Sequence, residues 1–320
     1  DQVREVLRYH HYAYRTEKAY CQWILRYLHF FGGKTHPKEF GSSHVERFLS
    51  SLATKSKVSV STQKQALNAV VFLYRSVLDL PLKGKIGHIR AKCQAKPPTV
   101  LTQEEVQQLL NRMTGTHALM AKLLYGSGLR LMECIRLRIQ DVDFGQRKIF
   151  VRGGKGGKDR VTLLPQNISQ ILKSHVSDVV QLHQRDKKEG FGRVYLPEAL
   201  ALKLTQASLE TTWQYVFPSK KRSIDPRSGQ EYRHHLLESG LQKAVKVAVS
   251  RADILKRAGC HTLRHSFATH MLENGVNIRT LQTLLGHADV KTTEIYTHVM
   301  QHKVDALQSP LDYLIENVPS

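Results

Sequence analysis

The 320-residue chain carries 48 Lys and Arg against 27 Asp and Glu, a net charge of +21 that repels itself in a folded body unless a polyanion offsets it, so nucleic acid is the leading partner. No apolar run approaches the roughly 20 residues needed to span a bilayer, which argues against a membrane partner, and no signal peptide stands at the start, so a cytoplasmic protein is expected. The length suits two domains, and Cys21, Cys93, Cys134 and Cys260 lack any CxxC spacing, which speaks for reduced thiols over a zinc ribbon or a disulfide framework.

Residues 1–89 read as a helical domain. Apolar positions recur at helical spacing in Tyr20, Trp23, Ile24, Tyr27, Leu28 and Phe31, then in Val45, Phe48, Leu49 and Leu52, then in Leu67, Val70, Val71 and Tyr74. Four short helices are expected. Leu80-Pro81-Leu82-Lys83-Gly84 breaks the last of them, and residues 90–98, rich in Lys and Pro, read as an extended linker. Residues 1–96 hold 17 Lys and Arg against 6 Asp and Glu, a surplus of 11 in under a third of the chain, so this domain is expected to touch DNA itself.

The second domain, 99–320, opens with a capping box at Thr102-Gln103-Glu104-Glu105. In Leu123-Leu124-Tyr125-Gly126-Ser127-Gly128-Leu129-Arg130 two glycines let one helix stop and another begin, which puts Arg130 in the first turn of the second and Glu133 one turn on, placed to orient it. RKIFVR (147–152) and RVTLLP (160–165) flank GGKGGKD, the pattern of a β-hairpin with Lys155 at its glycine-rich tip. From Gly259 the chain reads as helical, with caps at Asn277 and Asp289 and a helix end at Gly286. The expected fold is mainly α with a small β-sheet or hairpin (α+β), in two domains.

Cutting a phosphodiester without a metal needs a nucleophile, cationic donors around the non-bridging oxygens and an acid for the departing sugar oxygen. His261 and Arg264 lie three apart and share a helix face, Arg130 stands near a helix N-terminus that favours an anion, and Leu285-Gly286-His287 sets an imidazole on a tight turn nine residues before Tyr296. Each residue also has a plainer reading. A lone tyrosine on an amphipathic helix usually packs, and Arg130 with Glu133 also fits a surface ion pair. His261 and His265 have the spacing of a helical zinc pair, but there is no HExxH and no third ligand, so no metal is expected. GGKGGK does not match a phosphate-binding P-loop.

GLRLME (128–133), GKGGK (154–158), HTLRH (261–265), LLGH (284–287) and TTEIYTH (292–298) resemble, in order and spacing, the signature boxes of the tyrosine recombinases of phage-integrase type. The resemblance covers nearly the whole chain. It implies a core-binding domain and a catalytic domain forming a clamp around DNA, and strand exchange without cofactor or ATP. Arg130 and Arg264 would clamp the scissile phosphate, His261 and His287 would bind it and assist proton transfer, and Lys155 would protonate the leaving 5′ oxygen. Tyr296 would become a 3′-phosphotyrosine, with Glu133 in support.

Within that family the chain most resembles the integron integrases, through the long connection from Lys155 to His261 with an insert at about 186–210 and the segments WQYVFPS (213–219) and YRHHLLESGLQKAVKVAV (232–249). That likeness implies integration and excision of gene cassettes at duplex sites and at folded single-stranded hairpins. Trp213, Tyr215, His234 and His235, beside Lys220, Lys221 and Arg222, are the candidates for unpaired bases and backbone. The tail 299–320, with Val304, Leu307, Leu311, Leu314 and Ile315, would dock on a neighbouring protomer of a tetrameric synapse, the free protein being monomeric. The expected setting is the bacterial cytoplasm, at the nucleoid. A recombinase of duplex DNA alone, a non-catalytic architectural protein, a metal-dependent nuclease and a relaxing topoisomerase are the competing readings.

Overall fold

The computed structural model describes residues 2–84, 86–91, 98–153, 158–196 and 198–297; Lys155 and the tail 299–320 lie outside the described residues. The chain divides into two compact units, residues 1–96 and 97–320.

The first unit holds α1 (Gln2–Tyr9), α2 (Tyr14–Phe30), α3 (Ser42–Thr54) and α4 (Val60–Phe72). Its core is made by the periodic positions: Trp23, Ile24 and Tyr27 meet Val45, Phe48, Leu49 and Leu52, with Val70 and Tyr74 closing the cluster. Ser59 starts α4 by accepting from the Thr62 N–H, and a π-type turn over Leu73–Val77 carries the helix on. The Tyr74 hydroxyl donates to the Pro37 carbonyl at 2.9 Å, so the Tyr27 hydroxyl, also 2.9 Å away, donates to Tyr74. Gln63 donates to the carbonyls of Leu49 and Ile89 and accepts from the Ala91 N–H at 3.0 Å. The extended stretch expected from residue 90 is therefore held against α4 as far as Ala91.

The second unit begins with α5 (Gln103–Asn111), whose capping box is formed as expected: Thr102 Oγ1 accepts from the Glu105 N–H at 3.2 Å and the Glu105 carboxylate from the Thr102 N–H at 2.7 Å. Then come α6 (Gly115–Ser127) and α7 (Leu131–Ile135). Strands β1 (Val142–Asp143), β2 (Lys148–Val151) and β3 (Arg160–Leu163) make an antiparallel sheet in that order, with Val151 opposite Arg160. After α8 (Gln166–Lys188) the chain forms α9 (Glu198–Lys203) and the short β4 (Ser223–Ile224) and β5 (Glu231–Tyr232) pair. It ends with α10 (Glu238–Arg251), α11 (Cys260–Glu273), α12 (Ile278–Leu285) and α13 (Lys291–Glu294).

Helices α6 and α11 pack against each other at the centre, and neither has a polar face of ordinary width. Ala118 to Ala121, Leu123 and Leu124 are buried on α6, and Leu263, Phe267, Ala268 and Leu272 on α11. A helix so enclosed is a rigid platform. The architecture is mainly α with two small sheets, and no described helix is long and apolar enough to cross a membrane.

Candidate active site

Gly128 ends α6 with φ +62°, a left-handed conformation, and a Cβ there would lie 2.5 Å from the Phe267 ring, so glycine alone lets α6 stop against α11. The Gly128 carbonyl then accepts from Arg264 at 2.5 Å. Arg130 follows as the N-cap of α7, extended at φ −72°, rather than in the first helical turn that the sequence suggested. From that position its N–H and its guanidinium each reach the Glu133 carboxylate at 2.7 Å.

Three arginines from three elements converge on the C-terminal end of α12. Arg160 donates to the Leu284 carbonyl at 2.9 Å, Arg264 to Leu285 at 2.7 Å and Arg130 to Gly286 at 3.2 Å. These carbonyls lack helical partners and carry the negative end of the helix dipole, so guanidinium groups satisfy them twice over. The same bonds fix the start of the turn that carries His287.

Glu133 holds the cluster together. Arg160 donates to both its oxygens, at 2.8 and 2.6 Å, and Arg264 lies 3.8 Å away. Burial alone would raise the Glu133 pKa, but Arg160 and then Arg130 outweigh it and bring the carboxyl down to about 2. One carboxylate thus faces three guanidinium groups, and the site keeps a positive surplus. Arg264 is 4 % exposed; burial and the neighbouring Arg130 lower its pKa to about 9, which leaves it charged at neutral pH.

Sequence reasoning missed Arg160, and β3 misleads in a specific way. In Arg160-Val161-Thr162-Leu163 the apolar residues are expected to face the core, yet Val161 and Leu163 are exposed while Arg160 and Thr162 turn inward. Thr162 bonds the Ser127 carbonyl at 2.7 Å, and Arg160 has the Glu133 carboxylate to meet. Polar partners on α6 and α7 turn these two side chains inward.

His287 lies with Nε2 3.2 Å from Arg264 and Nδ1 2.9 Å from Thr293 Oγ1. A guanidinium only donates, so Nε2 is the acceptor and Nδ1 carries the proton. Burial, then Arg264, Arg130 and Arg160, lower the His287 pKa to about 4, so the ring is neutral at pH 7. Tyr296 stands two residues past α13 rather than on a helix, its N–H bonded to the Thr293 carbonyl at 3.1 Å. Its ring is 2 % exposed, packed with Phe267, Leu281 and Leu285, and stacked at 6.5 Å on His287. The hydroxyl lies 2.7 Å from Nδ1 of His265, a residue that the sequence presented only as half of a zinc-like pair. Burial raises the Tyr296 pKa, and Arg264 and Arg130 oppose the rise.

The fold therefore brings Arg130, Glu133, Arg264, His287 and Tyr296 together, and adds Arg160 and His265. His261 stays exposed at the start of α11, one turn before Arg264. Among the described residues no three His, Cys, Asp or Glu side chains converge to hold a metal ion.

Residues 99–303 match the phage integrase family, and residues 1–84 match the phage integrase N-terminal SAM-like domain. The chain belongs to the phage integrase family. It is 47% identical over 316 residues, 98% of this chain and 93% of the relative, to an integrase/recombinase of Escherichia coli. It is 32% identical to the tyrosine recombinase XerA of Thermococcus onnurineus, over 89% of this chain and 84% of that one. The Tn1549 transposon integrase, solved in complex with transposon right end DNA, shares the fold with a TM-score of 0.61, covering 96% of this chain and 99% of that chain at 16% identity. The protein is thus a tyrosine site-specific recombinase, an enzyme that binds and recombines DNA.

Between α8 and α10 the recombinase carries a small subdomain with its own core of Val194, Leu196, Ala207 and Tyr215, against which Trp213 packs. Arg138 ties it to the body, donating to the carbonyls of Trp213 and Tyr195 while lying 5.5 and 4.7 Å over the rings of Trp213 and Tyr215. Trp213 sits in the turn Thr211–Trp213, half-buried. His234 is stacked on both Tyr195 and Tyr215, and His235 is half-buried, with burial lowering its pKa to about 4. Arg222 forms ion pairs with Glu189, Asp186 and Glu231 and lies 3.9 Å over Phe191, so it binds the subdomain together. Lys220 and Lys221 are exposed. A cleft of about 300 Å³ opens in the subdomain, lined among others by Arg193, Tyr195, Leu204, Arg227 and Tyr232.

Proposed function

We propose that Tyr296 is the nucleophile of this recombinase and that Arg130 and Arg264 hold the scissile phosphate, with His261 and His287 binding it and assisting proton transfer. The observation that carries the reading is a buried phenol in the field of Arg264 and Arg130, two members of a cluster whose three arginines outnumber their one carboxylate. Attack on a phosphodiester adds negative charge to the non-bridging oxygens, and a fixed positive surplus stabilises it where it develops. A guanidinium has five N–H donors, and the bonds described above use two of Arg130's side-chain donors, so its fork is held in place with others left for phosphate.

In this reading Tyr296 Oη forms a bond to phosphorus as the P–O5′ bond breaks, and Lys155 supplies the proton for the departing oxygen. The phosphotyrosine conserves the energy of the broken bond, so a 5′-hydroxyl of another strand reverses the step without ATP. Glu133 positions Arg130 and takes no part in bond making. The test is covalent capture from a pool of nicked duplexes and folded hairpins with randomised cores. The wild-type chain should form a protein–DNA adduct, and Tyr296→Phe should bind DNA without forming one; an adduct with Tyr296→Phe sinks the assignment.

The finer reading is an integron-type recombinase that integrates and excises gene cassettes, using duplex sites and folded single-stranded hairpins. It is supported by the separate core of the subdomain, by its cleft and by the exposed Lys220 and Lys221. Trp213, His234 and His235 would meet unpaired bases only by exchanging their internal stacking for the base, whereas Arg222 would act by holding the subdomain in shape. Binding and covalent trapping on a hairpin with unpaired bases, compared with its perfect duplex, decide the matter. Equal handling of the two would leave a recombinase of duplex DNA alone.

A further inference from the structure

We infer that His265 is a further catalytic residue, the group that accepts the phenolic proton of Tyr296 as the tyrosine attacks phosphorus. The inference rests on Tyr296 being the nucleophile, as proposed above. It assigns the proton to a residue distinct from His261, which is exposed at the start of α11, and from His287, whose Nε2 lone pair already accepts from Arg264.

The geometry is specific. His265 Nδ1 lies 2.7 Å from the Tyr296 hydroxyl, within proton-transfer range, and the two rings are 5.6 Å apart at 46°. His265 is carried by α11, the central helix, so its position is set by the same platform that sets Arg264. With the ring neutral and its own proton on Nε2, Nδ1 offers a lone pair to the phenol. During attack the Tyr296 O–H proton passes to Nδ1, the oxygen bonds to phosphorus, and the P–O5′ bond breaks with its oxygen taking a proton from the acid. Religation runs the same path backwards, and the imidazolium returns the proton to the phenolate as it leaves phosphorus.

The surroundings also gate the step. Burial, then the charges of His261 on the preceding turn and of Arg264, lower the His265 pKa to about 4, and Arg264 and Arg130 set the field around Tyr296. Without DNA the ring is therefore neutral but a weak base. A bound phosphate brings negative charge against those same cations, and His265 becomes a better base when the substrate arrives.

The contact has a rival meaning, a latch that only stores the tyrosine, and the two predict opposite outcomes. On the nicked duplex captured by the wild-type chain, His265→Asn keeps an oxygen where Nδ1 stood but takes up no proton. Single-turnover adduct formation should fall about 100-fold with DNA binding intact. With 3,5-difluorotyrosine at position 296 the loss should shrink several-fold, because a more acidic phenol needs its base less. An unchanged or faster rate for His265→Asn, or an equal loss with both tyrosines, overturns the inference. Should the variant not fold, the full wild-type chain decides through its pH–rate profile. The acid limb should stay in place when Tyr296 is fluorinated, and a limb that moves down with the phenol overturns the inference. Failure of the wild-type chain to form any adduct would instead remove Tyr296 as nucleophile, so the two readings fail separately.

Discussion

Glu133 accepts from Arg130 and Arg160 and lies 3.8 Å from Arg264, so a single carboxylate organises the three cations. Its pKa of about 2 in the folded chain lies below the ordinary 4.5. Its stabilising contribution is therefore fully present above pH 4.5 and is lost as pH falls from there towards 2. Glu133→Gln should flatten the melting temperature against pH in that window and cost about 3 kcal/mol at neutral pH, by leaving buried guanidinium groups unpaired. Urea unfolding measures the loss, and an unchanged acid limb would put the pH dependence elsewhere. Arg160→Lys keeps the charge but not the two-pronged bond to Glu133 or the bond to Leu284. Adduct formation should drop by up to about 100-fold with little change in DNA affinity, since misplacing Arg130 and His287 slightly is enough to misalign attack.

At the level of elements, helix ends build the site more than helix faces do. The left-handed Gly286 stops α12, and a Cβ there would sit 2.6 Å from Arg160 Cδ. Gly286→Ala should cost about 1 kcal/mol in backbone strain and lower the cleavage rate further than that loss explains, because Arg160 must move. Comparing the melting temperature with the single-turnover rate separates the two effects, and a rate that follows stability alone would contradict the account. Thr102→Ala provides the contrast. It removes the cap of α5, a helix that contributes no residue to the site, and should cost about 1 kcal/mol with the rate per folded molecule unchanged.

For the whole molecule, the charge surplus of 11 on residues 1–96 and of 21 on the chain puts much of the DNA affinity into counterion release. If six to ten phosphates are neutralised, affinity should fall at least about 1,000-fold between 50 and 200 mM salt. A flat salt dependence in a gel-shift titration would show that the basic surface does not meet the backbone. Removing residues 299–320 should impair assembly and recombination more than binding of one protomer to one site, as read by sedimentation of the synapse; equal losses in both would return the tail to its own domain.

Much of this protein was legible in the chain itself, because the signals were local. Helical periodicity in the first unit, the Thr102 capping box, the hairpin strands and the glycines that end α6 and α12 each depend on neighbours a few residues away. The order of the boxes likewise marked Arg130, Glu133, Arg264, His287 and Tyr296, which the fold does bring together. Three-dimensional contact alone decided the rest. Arg160 faces inward against the hydrophobic pattern of its strand because Glu133, 27 residues earlier, needs a cation there. His265 meets Tyr296 across 31 residues, and Arg222 is taken up by acidic partners as far off as Asp186. No periodicity records such pairings, since a polar side chain buries itself wherever its partner happens to be, and only the packed chain says where that is.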